Sequence, residues 1–171
     1  MAGMTKDEKV VDVKRSSQAK PYHYAGAGLP NVYLVGVEYR VERETGLQSA
    51  DIPCLPALLD ALAKALVEKR APLTADELRF LRKRLQIASK EFAVYVGLTP
   101  EQYSRLENGA ATITPMADRV VRLLYAALAK LPADATAEVA RTKWSAAMDH
   151  AERIIASQDE EHNWIVKTKA A

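Results

Sequence analysis

Residues 89–109 constrain the fold of this chain more than any other segment, because helix-ending and helix-starting residues follow one another closely there. A short run with helical apolar spacing precedes Gly97, which can adopt the left-handed conformation that commonly ends a helix. Thr99 can cap a following helix with its hydroxyl, and Pro100 is favoured at the first helical position. The spacing therefore predicts two short helices that meet across a three-residue turn.

The apolar residues of this segment indicate how the two predicted helices pack. Phe92 and Val96 give the first helix its inward face, and Ala93 is small enough to allow close approach. Tyr103 and Leu106 supply the inward face of the second helix. Two helices packed in this way form a helix-turn-helix, a motif whose second helix can enter the major groove of double-stranded DNA.

A further helix is predicted to begin just after Thr74. Thr74 and Glu77 have the spacing of a capping box, and the leucines at 78, 81 and 85 share one face. The opposite face carries the cations Arg79, Arg82, Lys83 and Arg84. This cationic edge either contacts phosphates or is simply solvated.

A DNA-binding interpretation assigns roles to the polar residues of the motif. Gln102 can pair bidentately with adenine, and Arg105 can contact guanine or a phosphate. Glu101 is repelled by phosphate unless it accepts a hydrogen bond from a cytosine amine. The full set of candidate DNA-binding residues is Arg79, Arg82, Lys83, Ser89, Lys90, Thr99, Glu101, Gln102, Ser104, Arg105 and Asn108.

The motif resembles the Cro/C1-type (Xre-like) helix-turn-helix regulators through Phe92-Ala93, Gly97-Leu98-Thr99 and residues 104–109. The resemblance covers about residues 73–128 and implies a five-helix DNA-binding domain. Many members of that family have a glutamine early in the first helix of the motif, where this chain has Ala88 and Ser89. Ser89 is then expected to act as a helix cap.

Residues 28–34, which precede a leucine-rich segment, are also similar to the antitoxin-type regulators of the MqsA kind. That resemblance implies control of the chain's own operon and a cognate toxin as partner. Such regulators commonly carry a zinc-binding N-terminal region built on paired cysteines. Here Cys54 is alone and His23, His150 and His162 are scattered, so no metal site is expected and toxin binding through such a region does not carry over.

The remaining patterns predict a mainly α fold with a small N-terminal β-ribbon. Alternation over residues 37–42 predicts short strands around Gly36, and leucines at 55, 58, 59, 62 and 66 form one helix stripe. A final helix is expected over residues 136–157, with Trp144 and Met148 on an apolar face that is the alternative dimerisation surface to the leucine stripe. Four regions result: a flexible arm (1–20), a ribbon and leucine-rich helix with a candidate dimerisation surface (21–71), the helix-turn-helix domain (72–131), and a C-terminal helix and tail (132–171).

Composition narrows the function classes. The 171 residues carry a net charge of +2 and one cysteine, which excludes a disulfide framework. No apolar run approaches the roughly 18 residues of a membrane span, and no catalytic or cofactor motif occurs, so a cytoplasmic protein without enzymatic activity is expected. Two functions remain: a dimeric DNA-binding repressor, and a protein-interaction module that uses the helix-turn-helix only as a scaffold.

Overall fold

The computed structural model describes residues 11–141 and 152–170. Five strands precede the helices: β1 (Val11–Arg15), β2 (Tyr22–His23), β3 (Val32–Val35), β4 (Glu38–Glu42) and β5 (Gln48–Ala50). Six helices follow: α1 (Leu55–Glu68), α2 (Ala75–Arg84), α3 (Ser89–Val96), α4 (Pro100–Glu107), α5 (Pro115–Leu128) and α6 (Ala133–Arg141). Two further strands, β6 (Glu152–Gln158) and β7 (Trp164–Ala170), complete the described chain.

The fold is mixed α/β, and the prediction of a mainly α protein is wrong. A three-stranded sheet in the order β1-β4-β5 and a four-stranded sheet in the order β2-β3-β6-β7 flank the central helices. All pairs are antiparallel except β3 with β6, which run parallel. The first and last parts of the described chain therefore meet in one sheet.

The C-terminal segment is where the helix prediction fails. Of the helix expected over residues 136–157, the described part reaches Arg141 as α6, whereas residues from Glu152 onward form a strand. In this strand Ile154 and Ala156 are buried against the core, a period of two that a helical interpretation overlooked. The neighbouring β7 and β3 supply ladder partners that no local pattern reveals. Trp144, Met148 and His150 lie outside the described residues.

The N-terminal ribbon is also built differently from the prediction. The chain turns at Gly36, whose φ of 86° favours glycine, so that β3 and β4 enter different sheets instead of pairing with each other. β4 pairs instead with β1, from Val11 opposite Glu42 to Arg15 opposite Glu38. Within the segment expected to be a flexible arm, residues 11–15 thus form an edge strand.

The helix predicted from the leucine stripe is present as α1, and three of the five stripe leucines lie in the core. Leu58, Leu62 and Leu66 are fully buried together with Val32 and Leu34 of the four-stranded sheet. α1 packs against β7 on one side and contacts α2, α5 and α6 as well. Since burial of each such side chain contributes about 1.5–3 kcal/mol, Leu58, Leu62 and Leu66 stabilise the core, whereas Leu55 and Leu59 remain partly accessible.

The buried side chain of Arg122 on α5 caps the C-terminal end of α1. Its guanidinium is fully buried and donates hydrogen bonds to the carbonyl oxygens of Leu66 (2.7 Å), Lys69 (2.6 Å) and Ala71 (2.8 Å). Asp118, one turn earlier on α5, accepts from Nε of Arg122 at 2.5 Å. Carbonyl groups at a helix end have no partner within the helix, so this side chain supplies donors that water cannot.

A second buried ion pair lies beside the first. Nζ of Lys69 is 2.6 Å from Oε2 of Glu77, and both side chains are at least 96% buried. Glu77 also accepts from the backbone N–H of Thr74 at 2.8 Å, which completes the predicted capping box of α2. The start of α2 is thereby joined to the end of α1.

We expect Arg122→Ala to lower the free energy of unfolding by about 3–5 kcal/mol, because it leaves the buried Asp118 carboxylate without its cationic partner and several carbonyl groups without donors. Arg122→Lys should recover only part of this loss, since an ammonium group cannot reproduce the planar array of donors. Urea denaturation of both variants measures the effect. The control is Arg70→Ala at a neighbouring exposed position, and a loss no larger than that of the control would contradict the prediction.

Candidate nucleic-acid interface

The predicted helix-turn-helix is present as α3 and α4. Gly97 ends α3 with a φ of 74°, and Thr99 caps α4 with Pro100 at the first turn. The hydroxyl of Thr99 accepts from the N–H of Gln102 at 3.2 Å, while Oε1 of Gln102 accepts from the N–H of Thr99 at 2.9 Å. The rings of Phe92 and Tyr103 pack with centroids 5.4 Å apart, which sets the helices against each other.

Glu107, at the C-terminal end of α4, connects three helices. Its carboxylate accepts hydrogen bonds from Nε of Arg82 (2.8 Å) on α2 and from the hydroxyl of Ser89 (3.1 Å) on α3. Its backbone carbonyl accepts from the guanidinium of Arg79. Arg82 also donates to the carbonyl of Ile87 at 2.8 Å. Because these partners are buried or half-buried, α4 is held rigidly on α2 and α3.

The surroundings of Arg82 favour its charged form. Burial of Arg82 disfavours its charge, but the hydrogen bonds and negative charge of Glu107 prevail and raise its pKa. Burial also raises the pKa of the Tyr103 phenol well above its ordinary value. Tyr103 is therefore neutral and Arg82 charged throughout the physiological range.

Three of the candidate DNA-binding residues have side chains that are hydrogen-bonded to other groups of the protein. Arg82 is only 13% exposed and is bound to Glu107, in contrast to the exposed phosphate contact expected from sequence. Arg79 is bound to Asp76 and to the Glu107 carbonyl. Ser89 does not cap α3, because the capping position is Ala88, and its hydroxyl points to Glu107 instead.

The other candidates are all exposed at the surface. Ser104 and Asn108 are hydrogen-bonded to each other at 3.3 Å on one side of α4. Gln102 keeps its amide NH₂ group without a partner among the described residues, although its oxygen is used by the capping box. Among the described residues, no anion forms an ion pair with the exposed cations Lys83, Lys90 and Arg105. The exposed candidates are Lys83, Lys90, Thr99, Glu101, Gln102, Ser104, Arg105 and Asn108.

Glu107 holds α4 in place, and sequence reasoning did not assign it this role. Its partners Arg82 and Ser89 lie 25 and 18 residues away, so no local spacing could have identified it. A weak signal existed, since Glu107 follows the inward-facing Leu106 at a position next to the core.

The edge of the motif formed by Gln102 and Arg105 borders a groove of about 250 Å³ that also reaches Thr112 and Thr114.

Other kinds of site find no support in the described parts of the chain. Within residues 11–141 and 152–170 no three His, Cys, Asp or Glu side chains are grouped so that they could hold a metal ion. Cys54 is exposed at the start of α1. None of the described helices combines the length and apolar composition that a bilayer crossing requires.

Comparison of the chain with models of protein families, with curated proteins and with solved structures finds no match.

We expect Arg82→Ala to destabilise the protein by about 3 kcal/mol, because it leaves the buried Glu107 carboxylate without its main donor. Glu107→Ala should cost a similar amount, and the double variant should cost much less than the sum of the two. A double-mutant cycle in urea denaturation measures this coupling. Lys83→Ala, an exposed cation on the same helix, is the control, and purely additive losses would show that the ion pair is not stabilising.

Proposed function

We propose that this protein is a sequence-specific transcriptional regulator that binds double-stranded DNA through α4. One observation carries the proposal: the first turn of α4 exposes Glu101 and Gln102 on a helix that Glu107 holds rigidly to its neighbours. Exposed polar residues on a rigid helix start are what reading of base edges in a major groove requires. The resemblance to Cro/C1-type regulators points the same way.

The charges around α4 favour modest nonspecific affinity. Lys90 and Arg105 are exposed near the reading turn, and the exposed carboxylates Glu91 and Glu101 offset them. Each phosphate contact contributes about −0.9 to the slope of affinity against salt concentration. With few unpaired cations, selectivity for an operator has to come mainly from base contacts such as that of Gln102.

The biological setting of the proposal rests on the resemblance to antitoxin-type regulators. In that setting the protein acts in the cytoplasm, represses its own operon and binds a cognate toxin. The zinc-binding region of such regulators has no equivalent among the described residues, so a toxin would have to be bound by other surfaces.

A protein-interaction module is the second candidate function, and α3 supplies the observation that favours it. Val94 and Tyr95 are 69% and 50% exposed on adjacent positions of this helix. The Tyr95 hydroxyl donates to Glu91 at 2.7 Å, which holds the ring at the surface. An exposed apolar pair beside a helix-turn-helix is suited to a protein partner, either as the main function or alongside DNA binding.

The DNA-binding proposal predicts that Gln102→Glu weakens binding to a selected operator by about 1–3 kcal/mol. A glutamate keeps the acceptor of the capping box, so the fold is retained, but it loses the amide donors and adds a negative charge. Lys90→Ala should weaken all duplexes alike and reduce the salt slope by about one. Fluorescence anisotropy with selected and scrambled duplexes measures both effects.

The control for Lys90→Ala is Lys64→Ala, an exposed lysine on α1. If the folded wild-type protein shows no salt-dependent affinity for any duplex, the DNA-binding proposal is wrong and the interaction-module function replaces it.

We further propose that the protein acts as a homodimer through the outer side of α5. Met116, Val120, Leu123 and Ala127 recur at the three- and four-residue intervals that place them on one helix face. Met116 is 70% exposed and Ala127 is exposed, while the two residues between them are half-buried. A second copy packed there would provide the paired reading helices that half-sites about 34 Å apart require.

Met116→Glu should therefore shift the protein from dimer to monomer in sedimentation at micromolar concentration, because it places a charge in an apolar contact. Operator affinity should fall with it. Leu47→Glu, at a 68% exposed position between β4 and β5, serves as the control and should leave the dimer unchanged. A wild-type protein that is monomeric both free and on DNA would refute the dimer.

A further inference from the structure

The four-stranded sheet has one face against the core and one face toward solvent. Val32, Leu34, Ile154 and Ala156 point inward and are buried. The alternate residues of each strand form the opposite face, named here the outer face. Its members on the described strands are His23, Tyr33, Val35, Arg153, Ile155, Ser157, Ile165, Lys167 and Lys169.

The outer face is positively charged. Arg153 on β6 lies directly opposite Lys169 on β7. Lys167, two residues before Lys169 in the chain, lies on the same side of β7. All three are exposed, and none is joined to an anion in the described structure. None of the outer-face positions holds an acidic residue, so no charge on that face offsets the three cations.

Aromatic rings lie beside these cations. The ring of Tyr33 on β3 is 5.1 Å from the ring of His23, and Cζ of Arg153 lies over the Tyr33 ring at 5.3 Å from its centroid. Nε2 of His23 donates to the carbonyl of Pro30 at 2.7 Å, which holds the imidazole in place. His23 and Arg153 are exposed on either side of the half-buried Tyr33.

Protection of a sheet edge explains only part of this arrangement. Lysines on an edge strand commonly discourage pairing with other chains, and β7 is the edge of this sheet. Arg153, however, lies on β6, which is paired on both sides, and Tyr33 lies on β3, also paired on both sides. An exposed cation on a central strand beside two neighbouring aromatic rings is not explained by edge protection and indicates a ligand-binding surface.

We propose that the outer face binds a single-stranded nucleic acid. Three unpaired cations suit successive phosphates, and exposed ring and guanidinium planes suit the faces of unpaired bases. A duplex would use only the cations, because its bases are already stacked on one another. An acidic peptide would likewise leave the planar groups without a role.

This surface is separate from the one proposed for duplex DNA. The sheet contacts α1 through β7, α1 contacts α2 and α5, and these two helices contact α4 and α3 respectively. The inference therefore does not depend on duplex binding by α4. The two surfaces can be tested separately in the same protein.

The experiment measures binding of fluorescently labelled (dT)₁₂ and (U)₁₂ by anisotropy over a range of salt concentrations. Wild-type protein should show a slope of about −2, from three cations at about −0.7 each for single strands. The triple variant Arg153→Gln/Lys167→Gln/Lys169→Gln should abolish this slope and weaken binding more than tenfold. His23→Ala should weaken binding about fivefold with little change in slope, because it removes a stacking plane but no phosphate contact.

A matched control removes the same net charge elsewhere, with Lys64→Gln, Arg70→Gln and Lys130→Gln at exposed positions outside the sheet. Equal losses in the control and the sheet variant would overturn the proposal, as would loss of single-strand binding in Gln102→Glu. Displacement of the oligonucleotide by polyglutamate at equal charge, with no effect of His23→Ala, would assign the face to an acidic protein instead. A preference between (dT)₁₂ and (U)₁₂ identifies DNA or RNA as the ligand.

Discussion

The structure depends on one buried guanidinium group. Arg122 satisfies the carbonyl groups at and beyond the end of α1 and is itself balanced by Asp118, which also accepts from the N–H of Leu73 at 2.6 Å. Burial lowers the pKa of Arg122, yet arginine remains charged at any physiological pH. α1 packs against the four-stranded sheet, and α5 packs against α3 of the helix-turn-helix. The contacts of Arg122 therefore link the sheet to the helix-turn-helix.

The same principle operates at Glu107 on a smaller scale. The buried carboxylate of Glu107 accepts hydrogen bonds from α2 and α3. In the same way, the guanidinium of Arg122 donates hydrogen bonds to carbonyl groups at the end of α1. Such pairs contribute little net stability compared with an apolar core, but removal of one partner is costly. They therefore favour the arrangement in which these helices meet, and the contacts of Glu107 hold α4 against α2 and α3.

Local chemistry could be predicted from the sequence, and long-range pairing could not. The caps at Thr74 and Thr99 and the turn at Gly97 depend on neighbouring residues, and the structure confirms them. The surface proposed for duplex DNA was predicted only in part, because Arg82 binds a partner 25 residues away and is therefore internal. Strand β6 was missed for a related reason: its parallel partner β3 lies more than 100 residues earlier, so only its own period of two could indicate it.

The buried ion pairs also limit how the two proposed surfaces can influence each other. A hinge between α1 and α2 would separate Lys69 from Glu77, and movement of α5 would expose or break the contacts of Arg122. Either change leaves buried charges unpaired, at a cost of several kcal/mol that is a large part of the stability of a domain this size. Binding of a nucleic acid at the sheet can therefore affect α4 only by moving a nearly rigid unit as a whole. Coupling between the surfaces, where it occurs, has to arise from a ligand that touches both or from the partner copy in a dimer.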